Sequence, residues 1–179
     1  MAADQFCRYD NTRIQVEESE NQVTVTYRYG VLVHPETETR VTYTVGADGR
    51  IQTEVHFYGK EGLPQLPLFG MRFRLLPDVS RFIYYGYGPE ESYPDRKHGV
   101  RLGIFDGTPE ENMASYLIPQ ECGNRSGVWW MKILDAQGNG LKFTAVGRPL
   151  DMNVLPYTAL ELEQALHREE LPLSHNTIV

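Results

Sequence analysis

Two irregular stretches gather residue types able to do chemistry, GYGPEESYPDRKHG over residues 86 to 99 and PQECGNRSG over residues 119 to 127. Four carboxylates fall in them, Glu90, Glu91, Asp95 and Glu121, together with Tyr93, Arg96, His98, Asn124 and Arg125. Glycoside hydrolysis uses two carboxyl groups, about 5–5.5 Å apart for retention and farther apart for inversion. The same residues also suit binding, with polar groups on sugar hydroxyls and Tyr93 or Trp129 stacked on a ring face. A third reading is structural: Arg96 or Arg125 forks onto a loop carboxylate and holds irregular backbone in place. The spacing favours the structural network over ligand binding, and ligand binding over acid–base catalysis.

Other chemistries have weaker support. The five histidines, His34, His56, His98, His167 and His175, form no HExxH and no short metal-ligand spacing, so no metal site is expected. YYGYGPEE has a Gly-x-Gly after a strand, but no third glycine in register, and its glutamates would repel a pyrophosphate. There is no Walker A, GxSxG or CxxC motif, and no cofactor is expected. Cys7 and Cys122 are too few for a disulfide scaffold and are expected as free thiols.

Strands must carry these loops. Residues 23 to 29 alternate, with Val23, Val25, Tyr27 and Tyr29 on one face, and VLV at 31 to 33 continues the run. Residues 39 to 45 and 51 to 58 form a hairpin around GADGR, whose Asp48-Gly49 supplies a tight turn. Residues 71 to 75 alternate again, 80 to 85 are another strand candidate, Pro64 and Pro67 suit an edge or a connection, and 128 to 134 with 141 to 146 form a second hairpin. On a regular strand Trp129 and Trp130 would face opposite ways, one into the core. One helix is signalled late: Thr158 and Glu161 have capping-box spacing, and Leu162, Ala165 and Leu166 give an apolar stripe of about three turns. The tail LSHNTIV has no clear partner upstream and would pair with something downstream.

Length and charge bound the rest. The 179 residues suit one domain, 1–179, with its own core. Lys and Arg number 17 against 24 Asp and Glu, a net charge of −7, so nonspecific nucleic-acid binding is not expected. MAADQFCRYD has no signal-peptide core, and no run approaches a membrane span, so no membrane partner and a cytoplasmic location are expected.

The motifs carry a resemblance as well. Gly86-x-Gly88-Pro89-x-Glu91-x-Tyr93-x-Asp95-Arg96 and Pro119-Gln120-Glu121-x-Gly123-Asn124-Arg125, flanked by LPQLPLFGMRFRL and followed by YTALELEQALHREEL, resemble the C-terminal, small-chain domain of large multidomain β-galactosidases of glycoside hydrolase family 2. Cys122 departs slightly from the family pattern, where a residue such as asparagine is common. The resemblance implies an all-β fold, a β-supersandwich of the galactose mutarotase-like type. It implies an incomplete domain with one short C-terminal helix, lacking several strands and a sugar-site tryptophan that lie beyond the equivalent of Val179. The catalytic glutamates of that family come from a TIM barrel elsewhere, so no catalytic residue is expected here. The implied role is noncatalytic support of the barrel and its sugar site, with the other domains of the parent as partners, or self-association covering exposed edges. Glu91, Tyr93, Asp95, Arg96, His98, Glu121, Asn124 and Arg125 are then a loop network or a carbohydrate site. Two other functions remain open: a standalone galactoside-binding module, and a mutarotase-type epimerase, for which His98 and Glu121 are the pair to test.

Overall fold

Valine, threonine and tyrosine recur at alternate positions in residues 22 to 31 and 38 to 46, and these segments pair as antiparallel strands. The computed structural model describes residues 7–9, 14–31, 37–64, 66, 68–75, 79–174 and 176–179. Among the described residues the chain is all-β with one short α-helix, and it divides into two units, Met1–Phe69 and Gly70–Val179.

In the first unit β1 (Cys7–Tyr9) and β2 (Gln15–Ser19) both pair with β3 (Gln22–Val31), which is followed across the sheet by β4 (Glu38–Gly46) and β5 (Ile51–Tyr58). Register places Val23, Val45 and Ile51 in one row and Tyr27, Val41 and Val55 in another. The opposite face is polar: Thr24 meets Thr44 at 3.3 Å and Thr26 meets Thr42 at 3.1 Å. Arg40 and Arg28 both reach Glu38, at 2.8 and 3.4 Å. The β4–β5 turn forms at Asp48-Gly49, where Gly49 has φ +79° and the Asp48 carboxylate accepts the Arg50 N–H. Residues 32 and 33 of the expected VLV continuation lie outside the described residues, as does Pro67.

The second unit is built on a four-stranded sheet, in the order β11 (Gly140–Thr144), β10 (Trp130–Asp135), β7 (Val79–Gly88), β8 (Arg101–Gly107). Two small pairs accompany it, β9 (Arg125–Val128) with β12 (Leu150–Met152) and β6 (Arg74–Leu75) with β13 (Thr177–Ile178). Phe82, Tyr84, Val128, Met131, Ile133 and Val154 form its main core, and Cys122, Leu155 and Leu162 a second one.

Several sequence expectations change. The tail does have an upstream partner: Thr177 and Ile178 pair with Leu75 and Arg74, and Ile178 exchanges backbone bonds with Leu155. β8 has no counterpart in the sequence reading. Its RLGIFDG alternates, but Phe105 is flanked on the core side by Gly103 and Gly107, which leave room for aromatic rings; a Cβ at Gly107 would lie 3.2 Å from the Phe82 ring. Neither tryptophan enters the core. Trp129 N–H donates to the Tyr85 carbonyl while Trp130 is also in register with Tyr85, so two residues oppose one. This bulge keeps Val128 and Met131 in the core and both rings out of it; Trp129 is 40% exposed.

The helix α1 (Ala159–Gln164) begins with the full Thr158–Glu161 capping box but is shorter than its apolar stripe. Glu170 explains the stop. Its carboxylate accepts the N–H groups of Leu166 and His167, at 2.7 and 3.3 Å, and a 3-10 turn over Arg168–Glu170 follows. Leu162 and Ala165 stay buried, and Leu166 is exposed.

Candidate functional site

The two irregular stretches meet because β7 ends at Gly88 and β9 begins at Arg125, and Ser92 ties them together. Ser92 is fully buried. Its N–H donates to the Asn124 carbonyl at 2.8 Å, and its hydroxyl oxygen accepts the Ser126 N–H at 3.0 Å. Its carbonyl accepts from Asn124 Nδ2 at 2.6 Å and from the Ser126 hydroxyl at 3.0 Å. These bonds satisfy backbone that no sheet ladder serves.

Glu91 lies beside this seam and becomes a hub. One carboxylate oxygen accepts from the Tyr116 hydroxyl and from Arg96 Nη2, the latter at 3.1 Å. The other accepts from the Gly123 N–H at 2.8 Å and the Tyr93 hydroxyl at 3.4 Å. Arg96 also donates Nη1 to the Tyr116 hydroxyl at 3.0 Å, and its guanidinium lies 4.6 Å from the Tyr93 ring centroid. The backbones of Tyr93 and Arg96 exchange bonds of 3.1 and 3.0 Å, closing the turn between them.

Burial alone would raise the Glu91 pKa. Hydrogen bonds from Tyr116 and the Gly123 N–H, and the Arg96 charge, more than offset it and hold the carboxyl below its ordinary range. Burial, followed by the Glu91 charge, pushes the Tyr93 phenol up. Tyr116 is also raised, first by its hydrogen bond to Glu91. A carboxylate has about four acceptor positions, and here four donors occupy them. Ionised and fully bonded, Glu91 has neither a proton to give nor a lone pair directed at a ligand.

The remaining sequence candidates divide. Arg125 is buried in β9, but among the described residues it meets no carboxylate: Nη1 donates to the Gly123 and Asn124 carbonyls, each at 3.3 Å, and its guanidinium lies 5.9 Å from the Tyr84 ring centroid. Arg96 does not fork onto one carboxylate but spans Glu91 and Tyr116. Asp95, His98 and Glu121 are exposed and join none of these bonds, and nothing links His98 to Glu121. An open depression of about 320 Å³ in this unit is lined by Leu75, Val79, Ile133, Asp135, Asn139, Gly140 and Leu141, none of them a sequence candidate. Among the described residues no group of three or more His, Cys, Asp or Glu could hold a metal; His34 and His175 lie outside them.

Sequence reasoning missed four members. Tyr116 lies three residues before Pro119, outside both loop motifs. Asn112 is buried, and its amide donates to the Gly123 and Val154 carbonyls at 3.0 and 2.9 Å. Ser92 is a small residue among larger ones. The Gly123 contribution is a backbone N–H, which no residue type advertises.

Fold and site define a class: an all-β module whose most distinctive loop residues bond one another. Compared with known proteins, residues 2–179 match the beta galactosidase small chain family, and the chain belongs to it. It is 41% identical over 169 residues to a β-galactosidase of Halalkalibacterium halodurans, covering 93% of this chain and 17% of that protein. It is 39% identical over 182 residues to the β-galactosidase small subunit of Latilactobacillus sakei, covering 95% of this chain and 56% of that protein. A β-galactosidase of Streptococcus thermophilus is 37% identical over 175 residues, 98% of this chain and 17% of that protein. The chain thus spans a minor part of the β-galactosidases and a little over half of the small subunit. Among the described residues no helix is long and apolar enough to cross a membrane.

Proposed function

We propose that this chain is a noncatalytic module of a cytoplasmic β-galactosidase of glycoside hydrolase family 2. Both units are parts of one β-supersandwich domain, which supports the catalytic barrel and its sugar site and brings no cofactor of its own. The observation that carries the reading is the match to the small chain family along residues 2–179. The geometry agrees with it. The carboxylate best placed for acid–base work, Glu91, is consumed by its own loops. The relatives add that such a segment occurs within a long β-galactosidase chain and within a protein named as a small subunit.

The test is a replacement. This chain takes the place of the matched segment in the Halalkalibacterium halodurans enzyme, and hydrolysis of a chromogenic β-galactoside is measured. The chimera is expected to hydrolyse it, a deletion of the segment to lose activity, and the isolated chain to show none. Hydrolysis by the isolated chain, or full activity of the deletion, overturns the reading. Titrating the labelled chain with galactose adds a second check: saturable amide shifts over residues 86 to 99 and 119 to 127 would make the loops a sugar site instead.

A further inference from the structure

The turn that joins β10 to β11 plays no part in the Glu91 hub. It is built around Asp135. One carboxylate oxygen accepts the N–H groups of Gln137 and Asn139, at 2.9 and 2.8 Å, and the other accepts the Asn139 side-chain amide at 3.3 Å. The Asp135 N–H donates to the Asn139 carbonyl at 2.8 Å, and the Asp135 carbonyl accepts the Gly138 N–H at 3.1 Å. Burial alone would raise the Asp135 pKa, but donors on Asn139, Gln137 and Gly138 outweigh it and keep the carboxyl below its ordinary range. Asn139 thus gives this turn its N–H, its carbonyl and its side-chain amide at once.

The next residue is fixed as firmly. A Cβ on Gly140 would overlap the Ile133 carbonyl oxygen, so only glycine fits there. The turn therefore imposes the pair Asn-Gly, and of the seven asparagines in the chain only Asn139 precedes a glycine. Glycine has no side chain to hinder an approach by its own nitrogen. That nitrogen also faces outward. Asp135 and Asn139 are a hydrogen-bonded pair, so Gly140 stands opposite Leu134 in a non-hydrogen-bonded one, with its N–H turned away from β10. Among the described residues β11 is the edge of its sheet, and Asn139 and Gly140 are both exposed.

We propose that Asn139 is a site of covalent modification, spontaneous deamidation to aspartate and isoaspartate by attack of the Gly140 nitrogen, and that the closed Asp135 turn restrains it. The inference stands independently of the function proposed above. In the first step the Gly140 nitrogen bonds to Cγ of Asn139 and closes a succinimide ring. The Cγ–Nδ2 bond breaks, and Nδ2 leaves as ammonia with the proton that the Gly140 nitrogen gives up. Water then opens the ring at either carbonyl, giving aspartate or isoaspartate. The restraint is geometric. The closed turn holds the Asn139 amide on Asp135, toward β10, whereas the Gly140 N–H points the other way, so attack requires the turn to open. Either product then keeps it open. Aspartate loses the donor to Asp135 and sets a second carboxylate against it; isoaspartate adds a carbon to the backbone and shifts β11 against β10.

The experiment incubates the full chain in mildly alkaline buffer, native and in urea, and follows it by tryptic peptide mapping. Cleavage after Lys132 and Lys142 isolates residues 133 to 142, in which Asn139 is the one asparagine. Fragment spectra separate a mass gain at Asn139 from one at Gln137, and an isoaspartyl methyltransferase, used as a reagent, detects isoaspartate. Asp48-Gly49 and Asp106-Gly107 isomerise without that mass gain, so they do not confuse the reading. In the native chain Asn139 is expected to convert before every other asparagine and to yield both products. An Asn139 that stays intact as long as the buried Asn112 overturns the proposal. In urea its conversion is expected to be about tenfold faster, the equilibrium factor for one ordinary net hydrogen bond. Equal rates in the two states overturn the restraint. Asp135→Ala in native buffer is expected to approach the urea rate, and no acceleration overturns the role of Asp135. Asn139→Asp reproduces one product and is expected to speed hydrogen exchange at the N–H groups of Gln137 and residue 139; unchanged exchange overturns the opening of the turn.

Discussion

The β4–β5 hairpin and the Glu91 hub both fix backbone with hydrogen bonds, but they distribute the load in opposite ways. In the hairpin each residue repeats the work of its neighbours: Val45 faces Ile51, Tyr43 faces Thr53, Val41 faces Val55. Removing one side chain leaves the ladder standing. The hub concentrates its bonds on one carboxylate, which gathers Tyr93, Arg96, Tyr116 and Gly123 from separate parts of the chain. Repetition makes a sheet tolerant, and convergence makes a loop cluster dependent on single residues.

The largest test of that contrast is Glu91→Ala. It strips the acceptor from Tyr116, Tyr93, Arg96 and the Gly123 N–H together, and is expected to cost about 3 kcal/mol in urea unfolding, at the upper end for bonds to a charged group. A loss no larger than that of an exposed hairpin substitution would erase the distinction. Gly123→Ala comes next, at about 2 kcal/mol. Gly123 has φ +74°, and a Cβ there would stand 2.6 Å from the Asn112 backbone oxygen, so strain and a clash act together. Its thermal midpoint beside that of Gly49→Ala, a positive-φ position with open space around it, separates the clash from the strain.

Acid should also distinguish the regions. The folded pKa of Glu91 lies below its ordinary value of 4.5, so its contribution is complete above that pH and is lost as pH falls through the folded value. Stability measured from about pH 6 down to about pH 3 is expected to fall more steeply in the native chain than in Glu91→Gln, which has no such proton to take up. Glu38, Asp135 and Glu170 are also held low, so the two curves should approach each other without the variant becoming flat. Parallel curves would remove Glu91 from the acid response. The smallest effect is expected from Ile51→Thr on β5. Ile51 is 62% exposed and Thr suits a strand, so the change should stay within about 0.5 kcal/mol.

The residues that were legible in advance are those whose partners lie close in sequence. Asp48-Gly49 makes its turn with its own neighbours, and Thr158 caps with Glu161 three residues on. The loop candidates were legible as a group but not in their roles. Glu91, Tyr93, Arg96, Asn124 and Arg125 enter the bonded cluster, whereas Asp95, His98 and Glu121, similar in type and from the same stretches, stay at the surface. Residue type shows what a side chain can bond; its place on a turn decides what it reaches. The tryptophan pair failed for a related reason. Period two predicts opposite faces, and one extra residue opposite Tyr85 cancels the alternation.

The sequence by itself determined the all-β character, the first hairpin, the helix start and, through two long loop motifs in order, the family. These rest on periodicity, turn chemistry and motif order, which act between near neighbours or are read directly from residue types. Tertiary structure alone decided that Glu91 is a saturated hub, that Glu170 stops the helix, that the tail pairs with Arg74 and Leu75, and that both tryptophans leave the core. Each depends on burial or on backbone groups brought together across the chain. A backbone N–H such as that of Gly123 has no residue type to reveal it until folding presents it to its acceptor.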